Sequence, residues 1–430
     1  MKASFKLIII IIFIAGAIFG VLVFSGAIPL GKDTAKVTGT VVLWGTIKTA
    51  AISGLIDDFN RVNQTFTVNY VEKAPENFDQ NLLEALASGT GPDMFFLPDN
   101  LAFHYSNKIF IIPYQSYSLT KFKNTFAGAG DVFLTSAGIL AFPMTIDPLV
   151  MYYNRSSLDS NAIVHPPLTW DELYTDAPLI TKKDDTGKIL KSAVALGHFS
   201  NVVHAKDILT TLFMQTGNPI ITEKAGVFSS SLGVFNSQYD LGSILQFYTD
   251  FADPAKLIYS WNKSFSNSTN AFSSEDLAIY FGFSSELQSL VNKNPNQNFL
   301  AAPMPQFKGV TSNKLTGARV TGLAISAFSK NFNTAFTAAS LMASGDFASK
   351  FANALAIPPA RRDLLRLKPL DAYSPIFYDS ALYAKSWLDP SPSNSDDIFR
   401  TMVDGVLSNN MTARDAVNDA SSKLDILLLK

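Results

Sequence analysis

The chain has 430 residues, and a single hydrophobic core stops growing at roughly 250–300, so two lobes are expected. Hydrophobic residues make up 47% and charged residues 16%, which is the composition of a folding chain and not of a disordered one. Lys plus Arg total 34 against 36 Asp plus Glu, a net charge of -2 that offers nucleic acid no basic surface, and the absence of cysteine excludes disulfides, thiol nucleophiles, Cys-ligated metals and a lipid-bearing Cys anchor.

The first thirty residues differ in kind from the rest. Lys2 and Lys6 precede an apolar run from Leu7 to Leu30, broken only by small residues and Pro29. Leu7–Phe24 is nearer the roughly 20 residues of a membrane helix than the roughly 7–15 of a signal-peptide core. Its length favours an uncleaved anchor at 1–30 over a signal cut at Ser25-Gly26-Ala27. In either case the lysines stay cytoplasmic and the rest of the chain is exported. Residues 31–40 read as a tether.

Strand and helix patterns then alternate. Val41–Trp44 is a buried strand, and Ile52, Leu55, Ile56, Phe59 and Val62 recur at helical spacing. Thr67–Val71 alternates as a strand does. Phe78, Leu82, Leu83 and Leu86 mark a helix that Gly89-Thr90-Gly91-Pro92 ends, and Met94–Leu97 is the next strand. This order predicts a parallel sheet with crossover helices. Ile139–Met144 and Leu149–Tyr153 are two further strands. Thr169-Trp170-Asp171-Glu172 has capping-box spacing and predicts a helix start. Leu300–Pro305, apolar with two prolines, reads as a crossing between lobes. Phe332, Ala335, Phe336, Ala339 and Met342 mark a helix, and Thr412 caps the last one.

Catalytic signatures are scarce. The histidines at 104, 165, 198 and 204 have no metal-ligand spacing on a helix, and there is neither a GxSxG elbow nor a GxxxxGK[ST] loop. Acidic pairs such as Asp57-Asp58 and Asp396-Asp397 read as solvated faces. Trp261 and Trp387, in polar surroundings, read equally as exposed rings available to a ligand and as half-buried loop anchors, while Arg319 and Arg361 are candidates for a charged contact that read more readily as ordinary surface salt-bridge residues. No cofactor is signalled.

Six segments, in order, carry a resemblance. They are Val41–Gly45; Ala87–Phe96; Phe142–Leu149 running into Tyr152-Tyr153-Asn154; Pro166–Leu173; Ala302–Pro305; and Gly322–Ser326, with Ala356–Arg361 near the end. Together they resemble the family of extracellular solute-binding proteins of ABC importers that includes the maltose-binding protein. The resemblance implies a hinged, two-lobed α/β fold of the periplasmic-binding-protein type (type II), with a solute between the lobes. It implies lobe one at about 37–146 with 303–348, and lobe two at about 147–302 with 349–430. Ligands of open α/β sheets sit beyond strand ends, which makes Trp44, Asp99 and Asn100 candidate contacts. Asp147 aligns with an acidic cleft residue of the family. Phe283 falls where relatives carry an aromatic, although their Trp is absent here, and Trp387 is expected to close the cleft from lobe two. The implied partners are a sugar or other small solute, an ABC permease, and the membrane through the N-terminal helix, with the protein itself a monomer. The rival readings are an exported hydrolase with a carboxylate pair and a non-transport receptor on the same fold.

Overall fold

The computed structural model describes residues 37–224, 226–233, 240–309 and 314–429; the expected anchor at 1–30, and the tether up to residue 36, lie outside the described residues. Among the described residues no helix is long and apolar enough to cross a membrane. From Gly39 onward the chain forms one contact unit.

Strand β1 (Gly39–Gly45) buries Val41, Leu43 and Gly45 and leaves Val42 and Trp44 on the other face. Helix α1 (Thr49–Val62) buries Ile52, Ile56 and Phe59, the one-sided stripe that helical spacing predicts. Strand β2 (Phe66–Glu72) returns parallel to β1, α2 (Phe78–Ser88) ends at Gly89 with φ 71°, and β3 (Met94–Pro98) lies parallel on the other side of β1. Gly89 is needed there because a left-handed cap disfavours a Cβ.

The two strands expected at 139–153 are one, β4 (Ala141–Asn154). Its first half pairs with one sheet and its second half with another, so no turn interrupts it. Helix α3 (Trp170–Ile180) follows, then β5 (Lys182–Lys183), β6 (Ile189–Val194), α4 (Ala205–Gln215) and the hairpin β7 (Ile221–Lys224) with β8 (Val227–Ser230). Strands β9 (Leu277–Phe283), β10 (Phe299–Ala302) and β11 (Thr316–Ile325) precede α5 (Gly345–Leu355), α6 (Ser374–Tyr383), β12 (Ala384–Lys385), α7 (Pro392–Leu407) and α8 (Ala413–Leu428).

The first sheet runs β2-β1-β3-β11-β4 and the second continues β4-β9-β6-β5, with β10 also on β4. Each sheet has its own apolar packing. In the first lobe Phe59 meets Phe347 at 5.4 Å and Phe96 stacks on Phe351 at 5.1 Å, so α5 belongs with β1–β3. The second lobe's core collects residues from Leu149 to Met304, then Phe377 and the buried faces of α7 and α8. Leu300–Pro305 is therefore not the crossing it was expected to be. Phe299–Ala302 is an edge strand on β4, Met304 remains in the second core, and the chain returns to the first lobe only in β11.

The N-cap at the start of α3 forms as predicted, with the return bond of Glu172 falling one residue before the cap. Thr169 Oγ1 accepts from Glu172 N at 3.2 Å, and Glu172 Oε2 accepts from Leu168 N at 2.7 Å. The cap holds Trp170 in the core, where its Nε1 donates to Gln215 Oε1 at 2.7 Å. Thr169→Ala is expected to cost about 1 kcal/mol, read as a lower urea midpoint at unchanged slope. An unchanged midpoint would mean that the cap contributes nothing.

Candidate functional site

Three stretches of chain lie side by side where the lobes meet. In the ladder of β4 with β11, Asp147 stands opposite Arg319, and in that of β11 with β12, Gly317 stands opposite Lys385. Gly317 is required there, because a Cβ would collide with Thr211 Oγ1 of α4. These stretches floor a cavity of about 1080 Å³. The loop after β3 (Pro98–Leu101) and the start of α2 form the wall on the first lobe. The N-terminal ends of α4 and α7 form the opposite wall. Both helices thus aim the positive ends of their dipoles at the cavity; acidic Asp207 sits in the first turn of α4, and Asp396 lies one turn into α7.

Most charges in the cavity are already paired with the protein itself. Lys206 Nζ donates to Asp389 at 3.0 Å, to Ser395 Oγ at 3.0 Å and to Pro392 O at 3.1 Å, and it lies 2.8 Å from Asp396. Arg319 donates to Asp207 at 3.0 Å and lies over the Phe283 ring at 4.0 Å. His204 stands between two partners: its Nε2 is 2.7 Å from Glu286, and its Nδ1 is 3.3 Å from the Arg319 guanidinium. Glu286 also accepts from Tyr280 Oη at 2.6 Å and from Phe283 N at 2.7 Å. Asp147 accepts from Ser284 Oγ at 2.6 Å, Ser285 N at 2.9 Å and Ser285 Oγ at 2.6 Å. Asp99 accepts from Ser386 Oγ and from Asn100 N, which ties the first lobe to the segment after β12.

Burial sets the acidities. It pushes Asp99 up to about 7, against the opposing pull of Ser386 and Arg319, and it raises Asp147 against its serine hydrogen bonds. Burial also presses Asp207 upward, but Arg319 and His204 outweigh it and hold that carboxyl low. Glu286 stays low in the same way, through His204. Burial favours neutral His204, yet Asp207 and Glu286 outweigh it and raise the imidazole.

Four of the six residues expected at the site, Asp99, Asn100, Asp147 and Trp387, line the cavity, and Trp44 and Phe283 do not. Trp44 lies on the other face of β1 from Val41 and Leu43, with Lys73 Nζ 3.7 Å from its ring, and the chain reaches the cavity two residues later at Thr46. Phe283 is buried, and it supports both Arg319 and the His204 ring, 4.8 Å away. Trp387 is half-buried against Phe399 at 6.3 Å. Trp261, expected to be exposed or half-buried, is wholly buried; it stacks on Phe265 at 4.7 Å and donates to Asn201. Arg361 pairs with Asp363 at 2.8 Å, but Arg319 is no ordinary surface residue. The sequence offers Arg319 as a charged contact only behind a surface salt bridge, and it does not single out His204, Lys206, Asp207 or Glu286 as site residues. The only trace of them is His204-Ala205-Lys206-Asp207 ahead of an apolar helix. No described group of His, Asp and Glu is arranged to hold a metal ion.

Residues 45–362 match the profile of a family described as bacterial extracellular solute-binding protein. No curated protein matches the sequence. The fold is similar to that of the sugar-binding protein MalE from Xanthomonas citri (18% identity, 91% of this chain and 97% of that one, TM-score 0.73). It is also similar to that of the cyclic α-maltosyl-1,6-maltose binding protein from Arthrobacter globiformis (14%, 90% and 98%, TM-score 0.74). A third likeness is to UgpB from Mycobacterium tuberculosis, solved with glycerophosphocholine (16%, 91% and 98%, TM-score 0.68).

Proposed function

Because the chain belongs to the family of bacterial extracellular solute-binding proteins, we propose that it captures a sugar or oligosaccharide between its lobes and delivers it to the permease of an ABC importer. The observation that carries this reading is the cavity of about 1080 Å³ between two lobes, whose charges are largely paired within the protein. Such a site offers hydrogen-bonding groups and one half-buried indole without a strong net demand for a charged ligand. Sugars suit it, since their C–H faces pack on aromatic rings and their hydroxyls take polar groups. Similarity to structures of sugar-binding proteins supports the same ligand class.

The work is binding and not bond-making. A ligand that touches both walls gains contacts in the closed form that the open form lacks, and so favours closure. In this reading Asp99, Asn100 and Trp387 contact the ligand, and Asp147 positions the floor. We divide the lobes near Asp147–Pro148 in β4, near Gly317 in β11 and between Leu365 and Ser374. This division differs from the expected change at 348, which falls inside α5. The protein works as a monomer without a cofactor, and the N-terminal apolar run holds it at the outer face of the membrane. A mature N-terminus near Ile28, found by mass spectrometry, would refute the anchor.

The test is a thermal-shift screen followed by calorimetry with maltose, maltotetraose, mannotriose and glycerophosphocholine. A true ligand at about 100 times its Kd adds about 2.7 kcal/mol of stability. Stabilisation by glycerophosphocholine and by no sugar would refute the sugar reading. Trp387→Ala is expected to weaken the binding sugar about fivefold, near 1 kcal/mol of lost ring contact, at unchanged melting temperature.

A further inference from the structure

Four carboxylates and one histidine gather about the Arg319 guanidinium. Asp207 accepts from it at 3.0 Å, Asp147 stands opposite it in the β4–β11 ladder, and Asp99 acts on it from the first lobe. Glu286 stands behind His204 at 2.7 Å. The other described cations of the cavity are engaged elsewhere: Lys206 is taken by Asp389 and Asp396, Lys385 lies 3.9 Å from Asp131, and Arg400 lies 3.7 Å from Asp397. The cluster is also faced by Lys206, which acts on Asp207, by Tyr280, which donates to Glu286, and by Tyr152, whose hydroxyl donates to Phe283 O beside Asp147. The members also come from different bodies. Asp99 follows β3 of the first lobe; His204, Asp207 and Glu286 belong to the second; Asp147 and Arg319 sit in the crossings.

We propose that this floor is a specificity filter: it refuses anionic ligands, and it couples capture of a neutral one to the uptake of a proton. The proposal rests on the reading above that the ligand sits between the lobes. Closure on a ligand expels water and brings the Asp99 wall towards the Asp207 wall. Carboxylates that lose water and approach one another hold protons more tightly. A neutral ligand supplies no charge to offset this, so the proton comes from solvent. An anionic ligand adds a further negative charge to the cluster and is penalised by it. Asp207 and Glu286 are held ionised by Arg319 and His204, so Asp99 and Asp147, both raised by burial, are the acceptors. The sign follows from linkage. The bound form holds the proton more tightly than the free form, so affinity is greatest in acid and falls as pH rises through the bound-state values, by at most about tenfold per pH unit for one proton.

The experiment is calorimetry of the full chain in detergent with maltose, maltotetraose, mannotriose and the uronate counterpart of each. Titrations near pH 7 are repeated in two buffers of different ionisation enthalpy. The expected result is a buffer-dependent heat corresponding to about half a proton taken up per neutral sugar bound, because Asp99, near 7, is already about half protonated in the free form, with uronates at least about tenfold weaker. Asp99→Asn should remove most of the uptake while the protein still melts as the native chain does. Glu286→Gln, which spares the first-lobe wall, should narrow the preference for neutral sugar. A neutral sugar that binds with no buffer-dependent heat, or a uronate that binds equally well, overturns the filter and leaves the sugar reading standing. Failure of every neutral sugar to bind overturns both.

Discussion

Lys206→Ala is expected to lower the unfolding free energy by about 3–5 kcal/mol, because it leaves a buried charge without its partner. The ammonium is only 15% exposed and Asp389 only 4%, and the pair lies between the N-terminal ends of α4 and α7. Burial already pushes the Asp389 carboxyl above its usual range, with Lys206 pulling it back. Removing Lys206 takes away that counterweight, along with donors to Ser395 Oγ and Pro392 O. Adding Asp389→Asn should restore part of the loss, since an amide needs no countercharge. Urea unfolding of the single and double variants decides the matter. A loss below about 1 kcal/mol would mark the pair as a solvated surface bridge.

Asp147→Ala is expected to cost about 3 kcal/mol of stability, and its first effect should not be on ligand. Its carboxylate takes three hydrogen bonds, all from Ser284 and Ser285 just after β9. Hydrogen bonds to a charged group are worth about 1.5–3 kcal/mol each; of the abandoned donors only buried Ser284 is left without water, while Ser285 is exposed. Asp147→Asn keeps an acceptor and should lose about half as much. The measurement is a melting curve beside a titration with the best-binding sugar. Native melting with lost affinity would instead identify Asp147 as a direct ligand contact.

Sequence legibility divided along a physical line. Features set by neighbours within a few residues could be read: the strand–helix alternation up to β3, the Gly89 terminator, and the caps at Thr169 and Thr412. Features set by distant partners could not. That β4 is one strand depends on β11 and β9, which lie more than a hundred positions away. Trp261 lies in an Asn- and Ser-rich stretch, yet Asn201 and Phe265 give its ring a complete buried setting. Arg319 looks ordinary until the strand register sets it opposite Asp147 and α4 brings Asp207 to it. Trp44 followed the rule that ligands lie beyond strand ends. Strand alternation turned its ring away, and the cavity takes Thr46 instead.

The three floor strands, β4, β11 and β12, have a consequence for how such a receptor can diversify. They are joined as ladders, Asp147 to Arg319 and Gly317 to Lys385, and not strung out as independent linkers. Inserting or deleting one residue in any of them would slip the register and turn a whole strand's side chains to the opposite face. The walls, made of loops and helix starts, carry no such constraint. New cargo preferences should therefore be reachable by length changes around Pro98–Leu101, whereas the start of α7 is held by the Lys206 network. Engineering of the floor is confined to substitutions that preserve chain length.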